Sequence, residues 1–423
     1  MDRRDFLKLC GAAGLVVSAP ALLPRRARAQ DEPATGPFWV FVHASGGWDP
    51  TSLCDPKGRA SEDEENPMNH YFTDDIGEAG AIRYAPVGEN QAFFDKHFRR
   101  TMVINGVDTQ TNNHDAGVRH TWSGKLSEGY PALAALLAGQ YAAEKPMAFI
   151  TNGGYDYTAG LVAPTRVGNI DAVGRIAWPN SIDGRAEGDT FHSAATHDRI
   201  KAALDRRQAT LHAQFDLPRY SHAIGQLYDA RAGQNTLRRL TEVLPTEFSR
   251  DSLPRQAQVC CAAFTAGISR AANLTVGGFD THGNHDDSHI PRLGELLRGV
   301  DFLWDEAERQ GIADDLIVMI GSDFGRTPGY NSGNGKDHWA ITSVMLMGKG
   351  IPGNTVIGST DARHVPIKVD PQTLAPAPEG AGVRIEPQHI HRALRKLAGF
   401  GADDEAARLF PLLGAGDLPL LDA

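Results

Sequence analysis

The stretch LIVMIGSDFGRTPGYNSGNGKDHW, Leu316 to Trp339, decides the fold. Leu316 to Ile320 is apolar without interruption, the pattern of a parallel strand covered on both faces rather than one with a wet face. The run stops at Gly321 and Ser322, and Asp323 follows. In an open α/β sheet the crevice beyond the strands' carboxyl ends is where ligands bind. Asp323 is therefore delivered to a candidate site. The Gly/Asn-rich loop behind it can fold back over that crevice, and it carries Lys336, Asp337, His338 and Trp339. A carboxylate, two cationic groups (Arg326 and Lys336) and an imidazole can thus converge. Alone, the segment also fits an ordinary strand end with an N-capping Asp and a turn.

The same pattern recurs on either side. Phe38 to His43 is a buried strand that runs into Gly46-Gly47-Trp48-Asp49. Thr101 to Val107 is a second, followed by hydroxyl-bearing residues that include Thr109, Thr111 and Ser123. A helical pattern from Gly129 to Glu144 leads to a strand at Met147 to Asn152. Pro254 to Ser269 resumes helix, and Ala272 to Gly278 is a strand that ends in Asp280-Thr281-His282-Gly283-Asn284-His285. His289 to Gln310 is a long helix, and Ile341 to Met347 another strand. Alternation of this kind predicts an α/β fold with a doubly wound, mostly parallel sheet sandwiched by helices. From residue 155 to 250 the alternation stops. Two amphipathic helices, Asp198 to Phe215 and His222 to Leu244, read as a helical insertion or cap. Residues 365 to 387 read as an extended excursion, and His389 and His391 as surface residues.

The first 29 residues form a twin-arginine signal: Asp2-Arg3-Arg4-Asp5-Phe6-Leu7-Lys8, a Gly/Ala-rich apolar run, and Ala27-Arg28-Ala29. The implied partner is the twin-arginine translocase, and the implied location periplasmic or secreted. No segment of the mature chain, 30 to 423, is long enough for a membrane span. The net charge of −10 becomes −14 once the signal is gone, 36 basic against 50 acidic residues. That excludes a nucleic-acid role, which needs a basic face. Cys54, Cys260 and Cys261 allow at most one bridge, and they also read as small buried residues.

Three strands end in a carboxylate, Asp49, Asp280 and Asp323, with His282, His285 and His338 close behind. Carboxylate oxygens suit hard divalent cations, and zinc accepts carboxylate and imidazole together. The set predicts a divalent metal site for Zn, Mn, Mg or Ca.

The motifs Asp323-Phe324-Gly325-Arg326-Thr327-Pro328, Gly335-Lys336-Asp337-His338-Trp339, Phe279-Asp280-Thr281-His282 and Gly46-Gly47-Trp48-Asp49 resemble those of the exported domain of unknown function 1501 family. That family is similar to the alkaline phosphatase and sulfatase superfamily. The resemblance implies an alkaline phosphatase-like sandwich with metal ligands on its strand ends. Asp49 matches the first-strand metal Asp, Asp323 the Asp of an Asp-His pair, and His338 the late His. Asp280 with His282 or His285 stands where the superfamily has Asp-x-x-x-His. Phe324 departs from the pattern by replacing the His of the pair. The implied activity is metal-dependent hydrolysis of a small anionic phosphate or sulfate ester, Arg326 and Lys336 holding the anion. The attacking group is Thr111 or a water. A non-catalytic envelope protein that keeps the fold is the alternative.

Overall fold

The computed structural model describes residues 36–143, 145–168, 170–214, 234–401, 404–414 and 416–422. The export signal and the first half of the second expected insertion helix lie outside them.

One eight-stranded sheet organises the chain. Its strands are β1 (Phe38–Ala44), β2 (Thr101–Asp108), β3 (Phe149–Thr151), β4 (Pro164–Thr165), β5 (Ala271–Val276), β6 (Leu316–Ser322), β7 (Ile341–Gly348) and β8 (Thr355–Ile357). Their order across the sheet is β8-β2-β7-β6-β1-β5-β3-β4. β1 lies at the centre, parallel to β5 through Trp39↔Ala271 and to β6 through Phe38↔Leu316. Only β7 runs antiparallel to its neighbours β2 and β6. Its first residue, Ile341, faces Asp108, the last residue of β2. The segment entering β7 therefore arrives at the same edge as the carboxyl ends of the parallel strands.

Helices cover both faces, and the strands show why. On β1, Val40 and Val42 belong to one buried cluster and Trp39 and Phe41 to the other, following the two-residue alternation of a strand. β6 repeats this with Leu316, Val318 and Ile320 against Ile317 and Met319. Each such side chain contributes about 1.5–3 kcal/mol on burial, which is why an unbroken apolar run settles at the centre of a covered sheet. The first face packs on α7 (Ser252–Thr265) and α8 (His285–Arg309), through Phe264, Leu296 and Val300. The second packs on α2 (His114–Ser123), α3 (Leu133–Ala142) and α9 (Pro387–Leu397), through Trp122, Leu136 and Leu394. α1 (Asn90–His97) adds Phe93 and Phe94 to the first cluster.

The segment 155–250 supplies edge strand β4, α4 (Ile170–Ala177), the exposed α5 (Ala194–Gln214) and α6 (Gln234–Val243). Val173 and Ile176 of α4 and Leu237 and Leu240 of α6 join the first core cluster. Cys54, Cys260 and Cys261 are free thiols, all buried.

Two expectations are corrected. His389 and His391 are buried rather than on the surface. His391 Nε2 donates a hydrogen bond to the Thr121 carbonyl at 2.8 Å, since a carbonyl oxygen can only accept, so Nε2 carries the proton. His389 caps α9 by accepting the Glu386 amide at 3.0 Å. The helix expected from His289 begins at His285 instead. Asp286 and Asp287 in its first turn favour that start by facing the positive end of the helix dipole.

Candidate metal centre

Four side chains meet at the carboxyl edge of the sheet. Asp280 follows β5, and His282 stands two residues on. His338 immediately precedes β7 in a two-residue ribbon with Arg326. His114 is the first residue of α2, which follows β2. The Asn113 side chain caps α2 by accepting the Ala116 amide at 3.2 Å. Gly117 then lets the helix rest on β6: a β-carbon there would sit 2.4 Å from the Asp323 carbonyl oxygen.

His338 Nε2 and His282 Nε2 each lie 3.0 Å from Asp280 Oδ1, and 2.9 Å from one another. His114 Nε2 is 3.5 Å from Asp280 Oδ2. One ligating atom from each of His114, Asp280 and His338 falls within 4.8 Å of the others. Each imidazole is fixed from behind. His114 Nδ1 lies 2.7 Å from Asp323 Oδ2, His282 Nδ1 2.8 Å from Asp337 Oδ1, and His338 Nδ1 2.8 Å from the Asn112 carbonyl. Carboxylates and carbonyls accept, so the three Nδ1 atoms carry protons and the three Nε2 lone pairs point inward. Lone pairs aimed at a carboxylate and at each other repel unless a cation or shared protons lie between them. Imidazole Nε2 atoms held by outer acceptors and joined by a carboxylate are the donor set of a divalent metal site. The group faces solvent, since the Asp280 and His282 side chains are each 47% exposed.

The carboxylates behind this set are held ionised. Burial pushes Asp280 upward, but the hydrogen bond and positive charge of the Arg326 guanidinium outweigh it, and its pKa comes down to about 2. Burial also acts against the charge of Asp323, whose pKa is nevertheless held below the usual range by His43 and His114. His43, at the end of β1, approaches Asp323 Oδ1 to 2.5 Å. Phe324, fully buried, packs its ring 4.9 Å from His114 and 4.5 Å from His338, forming an apolar floor.

A second cluster lies deeper. Lys336 Nζ donates to Asp49 Oδ2 at 2.6 Å and to Asn69 Oδ1 at 2.8 Å, with Lys336 and Asp49 wholly buried. His285 Nε2 is 3.2 Å from Asp49 Oδ2, and its Nδ1 2.7 Å from the Thr281 hydroxyl. His289 Nε2 accepts the Asp49 amide at 2.9 Å and stacks on His285 at 4.3 Å. Burial pushes Asp49 upward, but the Lys336 and His285 charges hold it well below the carboxylate range.

The structure thus brings together Asp280, His282 and His338 of the residues singled out in the sequence, with Asp323 directly behind. Asp49 and His285 stand apart in the deeper cluster, because Lys336 neutralises Asp49 and the early start of α8 turns His285 inward. Arg326 is fully buried and spends its donors on protein oxygens: the Gly47 carbonyl at 2.7 Å, the Gly46 carbonyl, the Lys336 carbonyl at 3.1 Å and Asp280 Oδ1 at 2.8 Å. Neither Arg326 nor Lys336 is therefore free to hold an anion. Thr111 accepts the Asn113 amide at 3.1 Å, and among the described residues no imidazole or carboxylate bonds its hydroxyl. His114 and His43 were missed by the sequence reading. The signal for His114 was its place at the first residue of a capped helix just after a strand.

A family model described as "Protein of unknown function (DUF1501)" matches residues 159–375, about half of the chain. The chain belongs to the DUF1501 family. No curated protein matches the sequence. Among solved structures, Ps i-CgsB in complex with k-i-k-neocarrahexaose is similar at 11% identity and a TM-score of 0.42, covering 91% of this chain and 76% of that one. Alkaline phosphatase from the Antarctic bacterium TAB5 follows at 10% identity and 0.37, covering 88% of this DUF1501 chain and all (100%) of the phosphatase. The PsFucS1 sulfatase from Pseudoalteromonas sp. gives 10% and 0.35, with 88% and 69% covered. Likeness at that level carries nothing about chemistry to this protein. Among the described residues, no helix is long and apolar enough to cross a membrane.

Proposed function

We propose that this is an exported metal-dependent hydrolase of phosphate or sulfate esters, with His114, Asp280, His282 and His338 as the cation's ligands. The observation that supports it is the convergence of three Nδ1-anchored imidazoles on one ionised carboxylate. Three nitrogens and one carboxylate suit zinc or a neighbouring transition metal better than calcium or magnesium, which take oxygen shells. Bound there, the cation supplies Lewis acidity toward an ester oxygen and makes a nearby water more acidic. The chain's residues do the rest. Asp323 and Asp337 hold the Nδ1 protons and so present the Nε2 atoms; Arg326 orients Asp280; Phe324 keeps water from beneath the ligands. Because no imidazole or carboxylate among the described residues bonds the Thr111 hydroxyl, the attacking group is water rather than Thr111.

The first test is elemental analysis of the purified protein beside an Asp280→Ala, His338→Ala double variant. Stoichiometric metal in the parent and none in the variant is the expected result, followed by turnover of p-nitrophenyl phosphate or sulfate. A protein that binds no metal after attempted reloading, or that is loaded yet splits no ester, ends this reading. The buried, internally satisfied Arg326 and Lys336 favour one competitor, an envelope protein that keeps a structural metal and turns nothing over.

A further inference from the structure

Along the same edge, an open cleft of about 660 Å³ runs from His43, Asp280 and Asp323 past His114 to Arg119 and Tyr155. Its charged lining is mostly acidic, with Asp115 added to Asp280 and Asp323. Among the described residues that line it, Arg119 is the one Lys or Arg. An anionic ester entering this cleft needs a cationic group, and Arg326 and Lys336 are sealed behind it with their donors taken.

Arg119 is built for the task. Its Nε donates to the Leu126 carbonyl at 2.7 Å, which fixes the plane of the guanidinium. Nη1 has a single weak neighbour, the Glu128 carboxylate at 3.8 Å, on a side chain 89% exposed and so easily displaced. Among the described residues neither Nη group makes a hydrogen bond. A guanidinium pinned at Nε with its Nη edge open is a preformed fork for two oxygens of one anion. Arg119 also lies on α2, five residues after His114, or about 7.5 Å along the axis at 1.5 Å per residue. One rigid helix therefore carries both a ligand of the candidate metal centre and the fork, so their separation does not depend on a loop.

We infer that Arg119 is the anion-recognising residue of this cleft, binding an oxyanion of a phosphate or sulfate substrate. The inference rests on the hydrolase reading of the same cleft. The test is calorimetric titration of the mature protein with inorganic phosphate and, separately, inorganic sulfate, on zinc-loaded and on metal-free samples. The parent is compared with Arg119→Met and Arg119→Lys, each checked for metal content and melting temperature. Arg119→Met is expected to weaken binding of one or both anions about 10- to 100-fold in both metal states, with metal content unchanged, and Arg119→Lys to recover part of the loss. The stronger of the two titrations tells phosphate from sulfate. Equal anion affinity in parent and Arg119→Met, or no anion binding by the parent, overturns the inference. Failure of the protein to take up metal instead overturns the hydrolase reading, and Arg119-dependent binding in the metal-free sample then still upholds the role of Arg119.

Discussion

Replacing Lys336 by Met tests the deeper cluster without involving any metal. The ammonium donates to Asp49 Oδ2 at 2.6 Å and Asn69 Oδ1 at 2.8 Å, and both members of the ion pair are 0% exposed. Removing one partner of a buried pair costs about 3–5 kcal/mol, because the other charge is left without compensation. Here Asp49 Oδ1 keeps the Thr51 amide at 2.9 Å and the Thr51 hydroxyl at 2.6 Å, so the expected loss lies near the lower end, about 3 kcal/mol. The pH dependence follows from the direction of the Asp49 shift. In the parent its pKa is depressed, so its contribution is fully present above the unfolded value of about 4 and is lost only as pH falls below that. Without the ammonium, burial dominates and the pKa rises. The penalty is then largest at neutral pH and shrinks as acid protonates Asp49. Urea denaturation followed by tryptophan fluorescence, in chelator, at pH 7.5 and 5.5, reads both effects. A loss under about 1 kcal/mol at pH 7.5, or a gap between variant and parent that fails to narrow at pH 5.5, would refute the account.

Asp323→Asn keeps the shape but weakens the acceptor behind His114, so zinc affinity measured against a competing chelator should fall about 10- to 100-fold; unchanged affinity would remove Asp323 from its supporting role. Gly117→Ala puts a β-carbon 2.4 Å from the Asp323 carbonyl oxygen, which must push α2 outward. About 1–3 kcal/mol of stability should be lost together with metal affinity, and a neutral result in denaturation and chelator competition would show that the helix has room to shift. Chelation should lower the melting temperature of the parent and readded zinc restore it, by about 2.7 kcal/mol at a hundred times the dissociation constant. A His282→Ala, His338→Ala variant should show no such response in thermal scans with and without zinc.

The sheet was legible because its central strands are buried on both faces. Leu316 to Ile320 and Phe38 to His43 admit no wet face, and the observed strands extend those runs by only one or two residues. Helix starts were less legible. α8 opens at His285, four residues before the expected start at His289, because its first turn is polar and gives no apolar signal, while Asp286 and Asp287 face the positive end of the helix dipole. His391 was misread for a related reason: its ring is paid for inside the core by a single carbonyl, which no pattern of neighbouring residues announces.

The site was legible only in part, and the three strand-end carboxylates show why. Asp49, Asp280 and Asp323 look alike in sequence, yet their neighbours give them different work. Asp49 meets a buried ammonium, Asp323 accepts from His43 and His114, and Asp280 alone keeps an exposed oxygen among imidazole nitrogens. A strand end delivers a side chain to the crevice, but the loops that fold back decide what it faces. The loop from Tyr330 to His338 does this for two of the carboxylates at once, because the Asn284 and His285 amides bond the Gly333 and Asn334 carbonyls. Lys336 is thereby turned inward to Asp49 while His338 is turned outward to Asp280. That split separates a sealed structural ion pair from an open ligand set, so variants in the two clusters should fail differently. Those around Asp49 should lose stability irrespective of metal, and those around Asp280 should lose metal while remaining folded. A single phenotype shared by Lys336→Met and His338→Ala would mean that the two clusters act as one site.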